Sequence, residues 1–168
     1  MQRRRLLQLG LGGAAVLALA GAGVALVRPG LTGGRLSAGG RAVFRAVGAA
    51  VLDGALPTDA SARLRSLDGL LARLEGTIAG LAPHAQDELS TLLALLASAP
   101  GRVGLAGLTT DWSDASVAQV HAALQAMRTS ALAVRQQAYF ALRELTNAAY
   151  FADPTTWAWL GYPGPNDV

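Results

Sequence analysis

One segment of the chain has a regular spacing of apolar residues that is typical of a bundle helix. Between Ala60 and Leu81, large aliphatic residues recur at alternating intervals of three and four positions, flanked by arginine and aspartate. They are Leu64, Leu67, Leu71, Leu74, Ile78 and Leu81. This spacing places them along one narrow stripe of a helix. Because other elements must cover such a stripe, it predicts the core of a helical bundle.

Four further segments have the apolar spacing and end signals of helices. They run from Arg41 to Leu56, from Pro83 to about Pro100, from a cap at Ser113 or Asp114 through Met127, and from about Ser130 to Phe151. Asp59 or Ser61 can cap the helix that begins at Ala60 by accepting a bond from a free backbone N–H. Apolar residues nowhere alternate convincingly with period two. The sequence therefore predicts an all-α fold, a small bundle of about five helices.

The chain divides into three parts. Residues 1–38 are an N-terminal signal or membrane-anchor segment that ends in a flexible, glycine-rich linker, residues 39–153 are the bundle, and residues 154–168 are an extended tail. The glycine-broken stretch 102–112 predicts a loop or a helical turn with Trp112 as its anchor. The prolines and glycines of 161–165 cannot continue a helix, so the tail predicts an extended partner contact.

The leader has the residue order of a twin-arginine export signal. The pair Arg3-Arg4 is followed by one residue and then by Leu6 and Leu7. The 22 uncharged residues 6–27 are diluted by glycine and alanine, which is similar to signals of this export route. About 20 apolar residues also suffice to cross a bilayer, so an uncleaved inner-membrane anchor remains open. We expect a periplasmic protein.

Two candidate cleavage sites have small residues at the required spacing. One is Ala20-Gly21-Ala22, and the other, a looser match, is Leu36-Ser37-Ala38. The sequence does not decide between them, and it does not decide whether the leader is cleaved.

The charge distribution excludes nucleic acid as a partner. Residues 1–38 hold five arginines and no acidic residue, whereas the remainder holds nine arginines and eleven acidic residues. The basic charge therefore belongs to the leader. No basic patch interleaved with aromatic residues remains in the body.

The residues of this chain predict no catalytic, cofactor or metal site. There is no cysteine, and the two histidines, His84 and His121, fall in separate predicted helices. A dinucleotide-binding loop must follow a strand and begin a helix, and neither of the glycine-rich stretches, 10–13 and 101–107, does so. The scattered Ser, Thr and Asp residues are explained by helix caps and turns, so we expect no enzyme in this chain.

Aromatic residues are concentrated near the C-terminal end. Seven of the nine lie between Tyr139 and Pro165. Tyr and Trp combine a large apolar area with one polar group and are enriched at the centres of protein interfaces. The alternative is that the rings close one end of the bundle. The predicted interface residues are Tyr150, Phe151, Trp157, Trp159, Tyr162, Pro163 and Pro165.

The C-terminal segment resembles the end of the gluconate 2-dehydrogenase subunit 3 family. Members close with a helix, an aromatic pair, an Asp-Pro-like turn, a Trp and a Gly-Tyr-Pro-Gly-Pro run. The matching positions here are Tyr150, Phe151, Asp153, Trp157 and 161–165. The similarity covers about 25 residues, and the helical body is compatible with it. Family members also commonly carry the twin-arginine signal.

The resemblance implies an accessory role. Members are non-catalytic small subunits of membrane-associated dehydrogenases whose large subunit is an FAD enzyme of the glucose-methanol-choline type. The small subunit is thought to escort the large one through the export channel, and a cytochrome c subunit with haem often accepts the electrons. Some relatives link the two subunits through cysteine, which this chain lacks. The competing hypothesis is a membrane-tethered periplasmic helical binding module without a flavoprotein partner.

Overall fold

The structure, a computed structural model, describes residues 28–157 and Gly161, and these form a helical bundle. Five helices of 12 to 20 residues make up most of the described part. They are α1 (Ala38–Val51), α2 (Ala60–Ala79), α3 (Pro83–Ala97), α4 (Val117–Arg128) and α5 (Ala133–Phe151). The predicted all-α bundle of about five helices is confirmed. The predicted signal or anchor helix lies outside the described residues.

Helix α1 is the centre of the bundle and contacts each of the other four helices. Its residues Val43, Phe44, Val47 and Ala50 are completely buried. Ser37 begins this helix by accepting a hydrogen bond of 3.2 Å from the backbone N–H of Gly40, which satisfies one of the free donors of the first turn. A helix surrounded by others can be apolar on most of its surface, as this one is.

Helix α2 buries most of the predicted stripe. Asp59 caps it through a 2.8 Å bond from the N–H of Ala62. The buried residues are Leu67, Leu70, Leu71, Leu74 and Ile78. The prediction was wrong at Leu64, which is 57% exposed. Because Leu70 joins the core, the centre of the buried stripe shifts around the helix and leaves Leu64 at its edge.

The segment predicted to be a flexible linker forms a small hairpin instead. Strand β1 (Leu31–Thr32) pairs antiparallel with β2 (Arg35–Leu36). The two-residue turn places Gly33 and Gly34 at φ of 58° and 77°, a conformation that favours glycine. Leu31 and Leu36 are buried, and the N–H of Leu31 donates a 3.1 Å bond to Ser90 Oγ on α3. Strands of two residues are too short to show period two in a sequence.

The chain between α3 and α4 is compact and anchored by Trp112. A helical turn, Ala99–Gly101, is followed by a π-helix, Arg102–Ala106. Trp112 is buried, and its indole N–H donates a 2.7 Å bond to the carbonyl of Leu96. The predicted helical turn and anchor are therefore both present.

Helix α4 begins later than the sequence predicted. Its cap is Ser116 rather than Ser113 or Asp114, and Ser116 and Gln119 exchange bonds of 2.8 and 3.2 Å in a capping box. The physical reason is that Asp114 belongs to the preceding turn, where its N–H bonds to the carbonyl of Asp111 at 3.0 Å.

Candidate partner-binding site at the end of helix α5

Helix α5 ends at the predicted Asp-Pro turn, from which the tail starts. After Phe151 the chain makes a short 3-10 helix, Pro154–Thr156. The carboxylate of Asp153 caps it and accepts bonds from the backbone N–H of Thr155 at 3.0 Å and from its hydroxyl at 2.7 Å. These bonds fix the direction in which the chain leaves the bundle.

An arginine of α2 holds this turn against the bundle. The Nε of Arg73 donates a 2.7 Å bond to the carbonyl of Ala149 in α5. Its Nη1 pairs with Asp153 Oδ2 at 3.0 Å. One side chain thus satisfies a carbonyl near the C-terminus of α5, where cations are favoured, and also binds the cap of the following turn.

The pKa of Asp153 is lowered below its ordinary value. The largest cause is the hydrogen bond from the Thr155 hydroxyl, followed by the bond from the Thr155 backbone N–H. Burial opposes the shift, and the positive charge of Arg73 adds to it. Each hydrogen bond stabilises the charged form of the carboxyl. Asp153 is therefore ionised at neutral pH and forms a true ion pair with Arg73.

Of the predicted interface residues, Tyr150 belongs to the core. It is 5% exposed, and its hydroxyl donates a 3.0 Å bond to the carbonyl of Ala55. Its ring meets Phe151 edge to face, with centroids 5.2 Å apart. Phe151 is half-buried against the core. Tyr150 thus closes the end of the bundle, which was the alternative role for these rings.

Trp157 is half-buried beside the end of α5. Its indole N–H donates a 2.7 Å bond to the carbonyl of Phe151, so it continues the packing of the helix end. The other predicted interface residues and the export-signal residues lie outside the described residues and stay predictions. They are Trp159, Tyr162, Pro163 and Pro165, and Arg3, Arg4, Leu6 and Leu7.

A groove of about 410 Å³ runs beside this turn. Its lining combines one face of α2, the α1–α2 loop and the turn after α5. The lining residues are Ala55, Pro57, Arg65, Ser66, Gly69, Arg73, Tyr150, Asp153, Thr155 and Thr156. This groove was not predicted from the sequence. Its only sequence signal is the spacing of Arg65, Gly69 and Arg73 at intervals of four, which places them on one helical face.

The described part of the chain contains no group of three or more His, Cys, Asp or Glu residues that could hold a metal ion. His84 and His121 are exposed on α3 and α4. Across residues 28–157, no single helix is both long and apolar enough to cross a membrane. Helix α3 and the segment Ala99–Ala106 are together long and apolar enough to do so, but the chain bends by 90° between them.

The described residues thus define a small all-α bundle with a fixed exit point for a C-terminal tail. No family model, curated protein sequence or solved structure matches this chain.

Proposed function

We propose that this chain is the non-catalytic small subunit of a periplasmic FAD-dependent dehydrogenase of the glucose-methanol-choline type. In this role it escorts the signal-less large subunit through the twin-arginine route and stabilises it. FAD belongs to the large subunit, and a cytochrome c subunit with haem is a further candidate partner. The tail, through Trp157, Trp159, Tyr162, Pro163 and Pro165, contacts the large subunit.

The observation that carries the proposal is the way the tail leaves the bundle. Arg73, Asp153 and Thr155 hold the turn before the tail through bonds of 2.7 to 3.0 Å. A segment presented from a rigid base loses less conformational freedom on binding than one presented from a loose end. The tail is also the segment that resembles the gluconate 2-dehydrogenase subunit 3 family, so the preorganised exit and the resemblance support the same surface.

Trp157 supports the same assignment. Its N–H is already bonded to the carbonyl of Phe151 at 2.7 Å, and the residue as a whole is only half-buried. A tryptophan whose polar group is satisfied within its own chain can offer its ring to a partner without leaving a buried donor unpaired. Such rings are typical anchors of protein interfaces.

Co-purification tests the partner. The tagged chain is isolated from its native host, and the absorption spectrum of the isolated material is recorded. We expect a large subunit with bound flavin, and haem if the cytochrome subunit is retained. Isolated material that contains neither flavin nor haem would contradict the proposal and favour a membrane-tethered binding module.

A second experiment tests the escort role. Replacing Arg3 and Arg4 by lysine should hold both this chain and the flavoprotein in the cytoplasm, because a signal-less partner can cross only on this leader. The matched control is Arg5→Lys, which preserves the pair and should leave export unchanged. Active flavoprotein in the periplasm of the double-lysine strain would rule out the escort role.

A further inference from the structure

A glycine occupies the middle of the α2 wall of the groove. Arg65, Gly69 and Arg73 follow one another at intervals of four and share one face of the helix. A Cβ at position 69 would lie 3.2 Å from Arg73 Nη1. Glycine within a helix costs about 1 kcal/mol relative to alanine. Its presence leaves space between the two arginines and lets Arg73 lie along the helix toward Asp153.

The two arginines of the groove differ in what they bind. Arg73 binds Ala149 through its Nε and Asp153 through its Nη1. Arg65 is exposed and has no hydrogen bond or ion pair with the described part of the chain. Among the arginines of residues 28–157, only Arg28 shares that condition; the others bind carboxylates, carbonyls or an amide side chain. The groove therefore holds a guanidinium whose donors are all unbonded within the described residues.

Ser66 provides a second available group next to Arg65. Its hydroxyl forms no hydrogen bond with the rest of the described chain, whereas the hydroxyls of Thr155 and Thr156 are bonded to Asp153. The three charged groups of the groove, Arg65, Arg73 and Asp153, sum to one positive charge. The residues after position 38 carry nine arginines and eleven acidic residues. The groove is thus locally positive on a body whose charge is slightly negative.

We propose that this groove binds a carboxylate side chain of the flavoprotein partner, with Arg65 as the cation that contacts it and the Ser66 hydroxyl as a further donor. A planar guanidinium with free N–H groups matches the two oxygens of a carboxylate. Thr155 and Thr156 line the groove immediately before Trp157, so this contact continues the surface assigned to the tail. The inference rests on the proposed function, because the carboxylate belongs to the partner of that complex.

The test compares variants of the full chain for binding to the flavoprotein purified with the wild-type chain. Arg65→Glu reverses the charge and Arg65→Gln removes it, and neither breaks an internal bond of the described chain. Arg128→Glu is the control for net charge, because Arg128 is exposed on α4 and, among residues 28–157, bonds only to Gln125. Dissociation constants are measured by titration calorimetry at low and high salt.

We expect Arg65→Glu to weaken binding about tenfold at low salt, with a smaller loss for Arg65→Gln, and to reduce the salt dependence of the dissociation constant. Arg128→Glu should stay within about twofold of wild type, because it lies outside this surface. Binding of Arg65→Glu within that same twofold range would overturn the inference and leave the proposed function intact. An equal loss in Arg128→Glu would also overturn it, because the effect would then be one of net charge.

A further variant separates the partner from the chain's own tail. Asp167 is the only charged residue after Asp153. Asp167→Asn should bind the flavoprotein like wild type if the groove holds a carboxylate of the partner. A loss equal to that of Arg65→Glu would assign the groove to the tail and overturn the inference. Failure of the wild-type chain to bind the flavoprotein would overturn the inference and the proposed function together.

Discussion

The hydroxyl of Tyr150 donates a hydrogen bond of 3.0 Å to the backbone carbonyl of Ala55, which lies 95 positions earlier in the chain. Ala55 belongs to the turn after α1, and Tyr150 to the last turn of α5. The bond therefore joins the two chain segments that form one side of the groove. An aromatic residue at the base of the tail thus stabilises the bundle.

Tyr150→Phe should destabilise the bundle by about 1 kcal/mol, because the Ala55 carbonyl loses its donor while the ring remains in place. Tyr139→Phe is the matched control, since the Tyr139 hydroxyl has no hydrogen bond within residues 28–157. Urea unfolding of both variants gives the measurement. Equal losses of stability in the two variants would contradict a specific role for the Tyr150 hydroxyl.

Thr155→Ala should raise the pKa of Asp153 toward its ordinary value of 3.8, because it removes the largest cause of the lowered pKa. Thr156→Ala should leave that pKa unchanged, since its hydroxyl bonds to the Asp153 backbone carbonyl. A group with a lowered folded pKa contributes stability above its ordinary pKa and loses it as the pH falls through the folded pKa. NMR titration of the carboxyl measures the pKa. An unchanged pKa in Thr155→Ala would contradict the assignment.

Leu71→Ala and Leu64→Ala should differ strongly although both remove the same atoms from α2. Leu71 is completely buried, so its truncation leaves a cavity and should cost about 2–5 kcal/mol. Leu64 is mostly exposed, and its truncation should change the stability by no more than about 0.5 kcal/mol. Chemical denaturation of the two variants measures the difference. A large loss at Leu64 would mean that this side chain packs against something other than the described bundle.

Asp111→Ala should destabilise the bundle more than Glu144→Ala. Asp111, which is 64% exposed, pairs with Nη1 of Arg102, whose side chain is 8% exposed and whose Nε has no hydrogen-bond partner within the described chain. Removing the carboxylate leaves a charged guanidinium in a site with little water, at a cost of about 1–3 kcal/mol. Glu144 pairs with Arg143 at 3.6 Å on the exposed face of α5, and its loss should cost at most about 0.5 kcal/mol. Thermal unfolding measures the loss of stability in the two variants, and equal losses would contradict a specific role for Asp111 in stabilising the buried Arg102.

Deleting residues 158–168 should abolish binding of the flavoprotein and leave the bundle folded. Trp157 and its bond to Phe151 are retained in this truncation, so the end of α5 keeps its packing. Circular dichroism measures the helix content, and a pull-down measures the partner. Loss of helix content would show that the tail belongs to the core. If the truncated chain keeps both its helix content and its binding of the partner, the tail is neither part of the core nor an anchor.

The helices could be predicted because burial of one face imposes a period on the sequence, as Leu67, Leu71, Leu74 and Ile78 show. It was harder to predict whether a residue at the edge of the apolar stripe faces the core or the solvent. Leu64 has the spacing of the stripe but lies at its edge. Tyr150 could have faced a partner, and it faces the core because Ala55 offers its hydroxyl an acceptor, which only the fold brings near.

The groove could not be predicted from local patterns, because its two walls are far apart in the sequence. Arg73 and Asp153 are separated by 80 positions. The spacing of Arg65, Gly69 and Arg73 is visible in the sequence, but two arginines on the exposed face of a helix are common and do not indicate a groove. Only the packing of α2 beside the end of α5 shows that one of these arginines is engaged and the other free.

The hairpin that precedes α1 bears on how the leader can be processed. Leu36 is buried, Ser37 accepts the capping bond of α1, and Ala38 is the first residue of that helix. A peptidase needs an accessible extended segment, and here the backbone around Ser37 is already committed to folded structure. Under the proposed twin-arginine export, which carries folded proteins across the membrane, the folded body would protect Leu36-Ser37-Ala38 from cleavage. Ala20-Gly21-Ala22 would then be the remaining candidate, and a product cut there would keep both strands of the hairpin, Leu31–Thr32 and Arg35–Leu36.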